Sequence, residues 1–261
     1  MRWRTRNDNP LVPPARALRA AGIGGGDYVA VGCQFLEYFK DFASLGRHDA
    51  VLEIGCGIGR MAGPLTTWLQ EPGRYEGFDV VRSSVSWCTK TISPRYPRFH
   101  FQCLDVANSL YNPRGRLRPE DLAFPFADGS FDVIIGVSVF THMLPDAVSR
   151  YLREARRVLR PGGRLFATWF VWQADVPATE DALQLFPVDC DSHRVARRDK
   201  PEAVVAIPES LIVEIYRLAG LNVTRTVEGN WRRGVHALPY QDMIIASTPS
   251  TEAVVTGARD R

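Results

Sequence analysis

Short apolar segments alternate with helix-forming segments through most of the chain, and this alternation restricts the fold more than any other feature. Strands are predicted at AVLEIG (50–55), RYEGFDV (74–80), RFHFQCLD (98–105), FDVIIGVS (131–138) and RLFATWFV (164–171), with helices over 28–45, 60–70, 83–92 and 146–159. Strands that are apolar throughout are typical of a parallel sheet covered by helices on both faces. The sequence therefore predicts a doubly wound α/β fold with a Rossmann-like sheet.

The last part of the chain departs from this alternation. After the 146–159 helix, RPGG (160–163) is expected to be a turn, because proline and two glycines cannot continue a helix. Another helix is predicted from Glu209 to Gly220, and two strands follow it at 221–228 and 241–248. The loop between them is too short for a crossover helix, so they should pair antiparallel at one edge of the sheet. The predicted sheet is mostly parallel with one antiparallel edge strand.

The predicted domain organisation is simple. An N-terminal arm or loop (1–27), rich in Arg, Pro and Gly, precedes a single domain (28–250), and a disordered tail (251–261) follows it. Two stretches inside the domain, 107–127 and 172–207, fit neither strand nor helix. Irregular segments of this length in a compact domain are usually functional, so we predict that both cover a substrate.

Composition excludes several classes of protein. The five cysteines form no CxxC pair, which argues against a disulfide framework or a zinc site and indicates reduced thiols in a cytoplasm. No apolar run approaches the ~20 residues of a membrane span, and the basic N-terminus lacks the apolar core of a signal peptide. A net charge of +3, with scattered arginines, is small for a nucleic-acid binder. We therefore expect a cytoplasmic protein with no integral membrane association and no nucleic-acid partner.

The stretch VLEIGCGIGR (51–60) places glycines at 55, 57 and 59, directly after the first predicted strand. A strand that turns into a helix there presents free backbone N–H groups to a ligand, and glycines let the ligand approach. The dinucleotide fingerprint G-x-G-x-x-G would require glycine where Arg60 stands. Acidic residues end the next two strands, Asp79 and then Asp105, and a carboxylate at the position of Asp79 can accept both ribose hydroxyls.

Together with Glu53, this set resembles the motifs of class I S-adenosylmethionine (SAM) dependent methyltransferases of the bacterial small-molecule, methyltransferase-11-like type. FADGSFDVII (126–135) and RVLRPGGRLFATWF (157–170) extend the resemblance. It implies a seven-stranded sheet and SAM as cofactor, with the ribose on Asp79, adenine near Asp105 and Val106, and the SAM carboxylate near Arg60. The cofactor-binding residues that it implies are Glu53, Gly55, Cys56, Gly57, Gly59, Arg60, Asp79, Val80, Asp105, Val106 and Ser138.

The segment after the fourth strand, SVFTHM (138–143), bears on the methyl acceptor. It lacks the (N/D/S)-P-P-(Y/F/W) tetrapeptide of enzymes that methylate nucleic-acid amines, the paired glutamates of protein arginine methyltransferases and the magnesium-binding aspartate of catechol-type enzymes. The expected enzyme is metal-independent and acts on a small molecule, sugar or lipid, at a hydroxyl group. His142 is the candidate general base, because imidazole titrates near neutral pH; packing near the cofactor is its alternative role.

Other functions and sites stay open. N- or C-methylation of a natural-product metabolite is one alternative; a non-catalytic SAM-binding protein and a nicotinamide-dependent oxidoreductase are others. His193 and His236 are weaker base candidates, and Trp231 is a candidate for stacking on a substrate ring. A phosphate or carboxylate clamp is a further hypothesis for the arginines of 110–121 and for Arg194, Arg197 and Arg198. A homodimer is compatible with the resemblance.

Overall fold

The computed structural model describes residues 9–21, 27–235, 237 and 239–250. The predicted tail (251–261), residues 1–8 and 22–26 of the predicted arm, and His236 lie outside the described residues. The chain divides into two compact units between Leu104 and Asp105. The structure contains a seven-stranded, mostly parallel sheet, which confirms the predicted fold class. The predicted boundaries of a single domain stay a prediction.

The first unit has a β-α alternation. Its helices are α1 (Ala15–Ala20), α2 (Tyr28–Ala43), α3 (Ala62–Trp68) and α4 (Arg82–Thr91), and its strands are β1 (Ala50–Ile54), β2 (Arg74–Asp79) and β3 (Phe99–Cys103). β2 lies between β1 and β3 and is parallel to both. Every residue of β1 is buried, as expected for an apolar central strand. Helix α2 begins where the Asp27 carboxylate accepts hydrogen bonds from two backbone N–H groups.

Helix α1 was not predicted, because residues 1–27 were expected to be an arm or loop. Six residues are too few for a helix that is stable by itself in water. Leu18, however, packs in a buried apolar cluster with Tyr28, Val29 and Ile58. This packing stabilises α1 against the start of α2 and against the glycine loop, and local sequence does not reveal it.

The second unit holds four strands of the main sheet and a smaller sheet. Its strands are β4 (Phe131–Gly136), β5 (Leu159–Trp169), β6 (Val171–Trp172), β7 (Val188–Asp189), β8 (Arg194–Val195), β9 (Val205–Pro208), β10 (Asn222–Val227) and β11 (Asp242–Ser247); its helices are α5 (Pro145–Val158), α6 (Glu180–Leu185) and α7 (Glu209–Leu218). β4 and β5 are parallel, whereas β11 runs antiparallel to both β5 and β10. The predicted antiparallel pair, β10 and β11, is confirmed. β11 is the strand that runs antiparallel to its neighbours, and β10 lies beyond it at the edge of the sheet.

Two predictions about the second unit were wrong. The expected turn at 160–163 belongs to β5, where a register shift between Phe131 and Val133 of β4 accommodates Gly162 with its φ of +73°. The second cover, 172–207, contains α6 and most of a four-stranded sheet of order β6-β9-β8-β7. Strands of two to four residues are too short to show a periodic pattern in sequence.

The first cover, 107–127, is irregular as predicted. Its only helical segment among the described residues is a 3₁₀ turn at Pro119–Asp121. Isolated bridges join Val106 to Leu117 and Asn108 to Asn112, so the segment folds back on its own beginning. Within the described part of the chain, no helix is long and apolar enough to cross a membrane.

Candidate functional site

The glycine loop of the first unit follows β1 and requires glycine at three positions. Gly55, Gly57 and Gly59 have φ values of 67°, 50° and 81°, a region that L side chains rarely adopt. A Cβ atom on Gly59 would lie 2.8 Å from Cδ1 of Ile92, whereas a Cβ atom on Gly57 would meet no atom within 4 Å. Gly59 is therefore needed for packing, and Gly57 leaves its backbone open to a ligand.

Asp79, at the end of β2, binds the loop directly. Its Oδ2 accepts a hydrogen bond of 2.7 Å from Gly57 N, and its Oδ1 accepts one of 2.8 Å from Val81 N. Burial raises the pKa of Asp79, and these backbone hydrogen bonds oppose that shift. The Cys56 N–H donates to the Phe78 carbonyl at 3.0 Å, so the loop is joined to β2 at two points. Val80, next in the chain, is half-buried.

Arg60 follows the last glycine and is half-buried. Burial lowers the pKa of its guanidinium, and the neighbouring Tyr28 and Glu53 oppose this shift. Among the residues that the structure describes, none forms a hydrogen bond or ion pair with the guanidinium. Its backbone carbonyl lies 2.6 Å from where a Cβ atom on Gly32 would stand, so glycine there allows α2 to approach the loop. A partly buried cation without a partner suits an anionic ligand.

Glu53 lies inside the unit. It is 2% exposed, and its Oε2 accepts a hydrogen bond from the Tyr75 hydroxyl. Burial raises the pKa of Glu53 to about 8, although the Tyr75 hydrogen bond opposes the shift. Cys56 is buried nearby, and burial raises the pKa of its thiol. The described hydrogen bond of Glu53 therefore joins β1 to β2 in the interior, next to the glycine loop.

In the second unit, Asp105 and Val106 are joined to the first cover. Asp105 Oδ2 accepts a 2.7 Å hydrogen bond from Arg116 Nε, and the Asn112 amide donates to Asp105 Oδ1 at 3.3 Å. These bonds lower the pKa of Asp105, which stays ionised. Glycine at 115 is required, because a Cβ atom there would lie 2.4 Å from Val106 C. Val106 itself is 1% exposed.

Ser138, just after β4, has an unusual backbone conformation with a φ of +60°. Three hydrogen bonds form a ring that holds it: Ser138 N donates to Thr168 Oγ1 at 2.7 Å, Thr168 Oγ1 to Gln241 Oε1 at 2.6 Å, and Gln241 Nε2 to Ser138 Oγ at 2.9 Å. A non-glycine residue in this region costs about 1–3 kcal/mol and occurs most often at functional sites.

His142 ends a 3₁₀ turn, and both covers contact it. Its Nδ1 lies 3.2 Å from the backbone carbonyl of Glu202 in the second cover, and its Nε2 lies 3.4 Å from the hydroxyl of Tyr111 in the first. The Asn108 amide donates to the His142 carbonyl at 3.1 Å. Burial lowers the pKa of His142, against the opposing effect of the Glu202 carbonyl, so the imidazole is neutral at pH 7.

Other candidate site residues from the sequence interact with neighbouring side chains of the protein. The predicted stacking of Trp231 on a substrate is wrong: its side chain is 1% exposed, and its Nε1 donates to Asp242 Oδ2 at 2.7 Å. Arg194 forms an ion pair with Asp189, and Arg197 forms one with Asp199, both at 2.6 Å. A bound phosphate or carboxylate would therefore have to compete with these aspartates for the guanidinium groups.

The described hydrogen bonds of His193 are local: its Nδ1 lies 3.1 Å from Ser192 Oγ, and its backbone carbonyl accepts from Cys190 N at 2.9 Å. It has none of the long-range contacts that surround His142. Among the described residues, no cluster of His, Cys, Asp and Glu could hold a metal ion.

The chain matches a known family of domains. The family model "Methyltransferase domain" matches residues 52–167, which begin in β1 and end in β5. This range includes the glycine loop and both acidic strand ends. The chain carries a class I SAM-dependent methyltransferase domain. The predicted recognition is confirmed, and SAM is the cofactor of this class of domain.

Curated relatives of the methyltransferase domain differ in their acceptors. A phthiotriol/phenolphthiotriol dimycocerosates methyltransferase of Mycobacterium tuberculosis is 35% identical over 136 residues, covering 49% of this chain and 43% of that protein. A human tRNA N(3)-cytidine methyltransferase is 26% identical over 113 residues, covering 43% of this chain and 27% of that protein. The chain thus spans less than half the length of these relatives.

Solved structures agree on the fold. A SAM-dependent methyltransferase from Methanosarcina mazei superposes with a TM-score of 0.57 at 18% identity, covering 83% of this chain and 97% of that chain. This likeness extends beyond the matched range and includes most of the chain. At such an identity it shows the architecture of the methyltransferase domain and leaves the acceptor to other arguments.

Proposed function

We propose that this protein transfers the methyl group of SAM to a hydroxyl group of a small molecule, glycan or lipid. The observation that carries the proposal is the neutral, partly buried imidazole of His142 just after β4, bonded to a carbonyl at Nδ1. A carbonyl can only accept, so Nδ1 carries the hydrogen and Nε2 holds the free lone pair. An imidazole in this form can act as a general base at neutral pH.

The glycine loop and Asp79 support binding of the methionine and ribose parts of SAM. Gly57 offers an open backbone, and Asp79 is anchored to it so that the remaining carboxylate lone pairs can accept ribose hydroxyls. Arg60 is the proposed partner of the SAM carboxylate, because its charge is partly buried and lacks a described partner.

Further proposed contacts of the cofactor follow from the family resemblance. Asp105 and Val106 are assigned to the adenine ring, and the ionised state of Asp105 suits an exocyclic amine donor. Ser138, held by its ring of hydrogen bonds, is assigned to the cofactor too. The other proposed cofactor residues are Glu53, Gly55, Cys56, Gly59 and Val80; for Glu53 the described contacts favour a supporting role behind the loop.

The reaction needs little covalent chemistry from the protein. When bound, SAM supplies an electrophilic methyl group, which is transferred in line to the acceptor oxygen. The protein aligns the two substrates and excludes water, and His142 accepts the proton that the hydroxyl loses. The carbonyl of Glu202 then stabilises the resulting imidazolium at Nδ1.

The acceptor class follows from the relatives and from charge. The mycobacterial relative is named for a lipid acceptor and is more similar, at 35% identity, than the tRNA methyltransferase at 26%. The net charge of +3 supports a small-molecule or lipid acceptor over a nucleic acid. All five cysteines are free, which supports a cytoplasmic location. A homodimer stays a prediction.

Calorimetric titration with SAM and turnover with hydroxylated lipids, glycans and metabolites test the proposal. Arg60→Met should weaken SAM binding at least tenfold, since a charge-assisted hydrogen bond contributes about 1.5–3 kcal/mol. His142→Ala should bind SAM normally but turn over about 10²-fold more slowly. His193→Ala, the matched control, should behave like the wild type. Methyl transfer only to amines or carbon, with none to hydroxyls, would contradict O-methylation.

A further inference from the structure

We propose that Tyr111 is the catalytic residue that contacts the acceptor hydroxyl and passes its proton to His142. The two side chains would then act as a relay, with the phenol at the substrate and the imidazole behind it. This inference rests on the proposed O-methylation. Tyr111 lies in the irregular first cover and is not among the residues assigned a role from the sequence.

The hydrogen-bond pattern around His142 defines the direction of the relay. Nδ1 faces the Glu202 carbonyl at 3.2 Å and must donate, which leaves the lone pair on Nε2. Nε2 lies 3.4 Å from the Tyr111 hydroxyl, and because Nε2 has no hydrogen, the hydroxyl is the donor in this hydrogen bond. The two rings meet edge to face, with centroids 5.3 Å apart and an interplanar angle of 89°. The basic nitrogen of His142 is therefore already engaged by the phenol.

Accessibility favours Tyr111 over His142 as the residue that meets a ligand. Tyr111 is 40% exposed, whereas His142 is half-buried with each ring nitrogen in contact with a cover. An acceptor hydroxyl could reach Nε2 directly only by displacing the phenol. The phenol oxygen, in contrast, can accept a hydrogen bond from the substrate while it donates to Nε2.

Asn108 positions both members of the pair. Its Oδ1 accepts hydrogen bonds from the backbone N–H groups of Leu110 and Tyr111, at 3.0 and 2.9 Å, and so shapes the turn that carries the phenol. Its Nδ2 donates to the backbone carbonyl of His142 at 3.1 Å. One side chain therefore holds the tyrosine turn and the histidine turn together.

The second cover completes the arrangement. The Ser109 N–H donates to Glu202 Oε2 at 2.6 Å, while the carbonyl of the same Glu202 accepts from His142. Glu202 thus joins the first cover to the imidazole. Because the contacts of both covers meet at His142, the relay has this geometry only while both covers keep this arrangement.

The proposed step balances as follows. The acceptor oxygen forms a bond to the methyl carbon as the bond from that carbon to sulfur breaks, and the sulfonium becomes a neutral thioether. The hydroxyl proton passes to the Tyr111 oxygen as the phenolic proton passes to His142 Nε2. The tyrosine ends neutral, and the histidine ends as an imidazolium that releases its proton to water after the product leaves.

Two variants and a control test the relay. Tyr111→Phe keeps the ring but removes the relay oxygen, so kcat should fall about 10²-fold while the Kd for SAM stays unchanged. Combining it with His142→Ala should add little to either single effect, because both changes interrupt one proton path. Tyr96→Phe, at a half-buried tyrosine outside both covers, should leave kcat unchanged.

NMR titration of the His142 imidazole supplies a readout that does not need turnover. The phenol donates to Nε2 of the neutral ring, so its loss in Tyr111→Phe should raise the pKa of His142 relative to wild type. A wild-type rate for Tyr111→Phe with a hydroxyl acceptor, or an unchanged His142 pKa, overturns the relay and leaves O-methylation intact. A wild-type enzyme that methylates no hydroxyl overturns the proposed function, and the relay with it.

Discussion

Alanine substitutions at Gly57 and Gly59 should separate cofactor binding from folding, although the two glycines lie in the same loop. Both have positive φ values, 50° and 81°, so each alanine carries the cost of a left-handed backbone. Their surroundings differ. A Cβ atom on Gly59 would lie 2.8 Å from Ile92 Cδ1 and 3.1 Å from Cys88 Sγ, while one on Gly57 would meet nothing within 4 Å.

The expected magnitudes follow from these distances. A left-handed conformation costs an L residue about 1–2 kcal/mol, and this cost applies to both variants. Gly59→Ala adds overpacking against Ile92 and Cys88, typically about 1–3 kcal/mol more. Gly59→Ala should therefore lower the free energy of unfolding by about 2–5 kcal/mol, and Gly57→Ala by about 1–2 kcal/mol. The methyl group introduced by Gly57→Ala, however, would occupy the open space proposed for the cofactor and weaken SAM binding by at least tenfold.

Urea denaturation and calorimetric titration with SAM measure the two effects separately. Gly129→Ala is the matched control, because Gly129 has a φ of +60° and open space around its Cβ position but lies outside the proposed cofactor site. It should lose about 1–2 kcal/mol of stability and bind SAM normally. The reasoning is refuted if Gly59→Ala is no less stable than Gly129→Ala, or if Gly57→Ala keeps wild-type affinity for SAM.

Three further predictions concern buried carboxylates. Asp79→Asn replaces one acceptor oxygen by a donor facing a backbone N–H, so urea denaturation should show a loss of about 1.5–3 kcal/mol; an unchanged midpoint would contradict it. Glu53 has a folded pKa of about 8, above its ordinary 4.5, so the folded protein binds the extra proton and stability falls as pH rises between these values. Glu53→Gln should remove up to about 1.4 kcal/mol per pH unit from that slope; parallel wild-type and mutant curves would argue against it. Asp242→Asn breaks the 3.0 Å ion pair with Arg232 and should cost about 3–5 kcal/mol by thermal unfolding, against under ~0.5 kcal/mol for the exposed control Asp199→Asn; equal losses would refute this.

Expectations based on local patterns agree best with the structure. The main strands and helices follow from apolar runs and helical spacing, which need no knowledge of distant contacts. The glycine loop, the acid that ends β2 and the acid that follows β3 are found for the same reason, because each is a short motif at a predictable strand end. The errors concern packing: helix α1, the strand at 160–163 and the small sheet of the second cover all depend on partners elsewhere in the chain.

The amino-acid sequence by itself indicated the class of domain and its cofactor, through the resemblance of the three glycines, Asp79 and Asp105 to the motifs of a known family. Only the tertiary structure decided what surrounds His142. Its partner Tyr111 is 31 residues away in sequence and Glu202 is 60 residues away, while Ser109 and Glu202, which join the two covers, are 93 residues apart. Contacts across such distances form only when the whole chain packs, and no local periodicity encodes them. The same holds for Trp231, which is buried in an apolar cluster with Phe170 and Phe186 from distant parts of the chain.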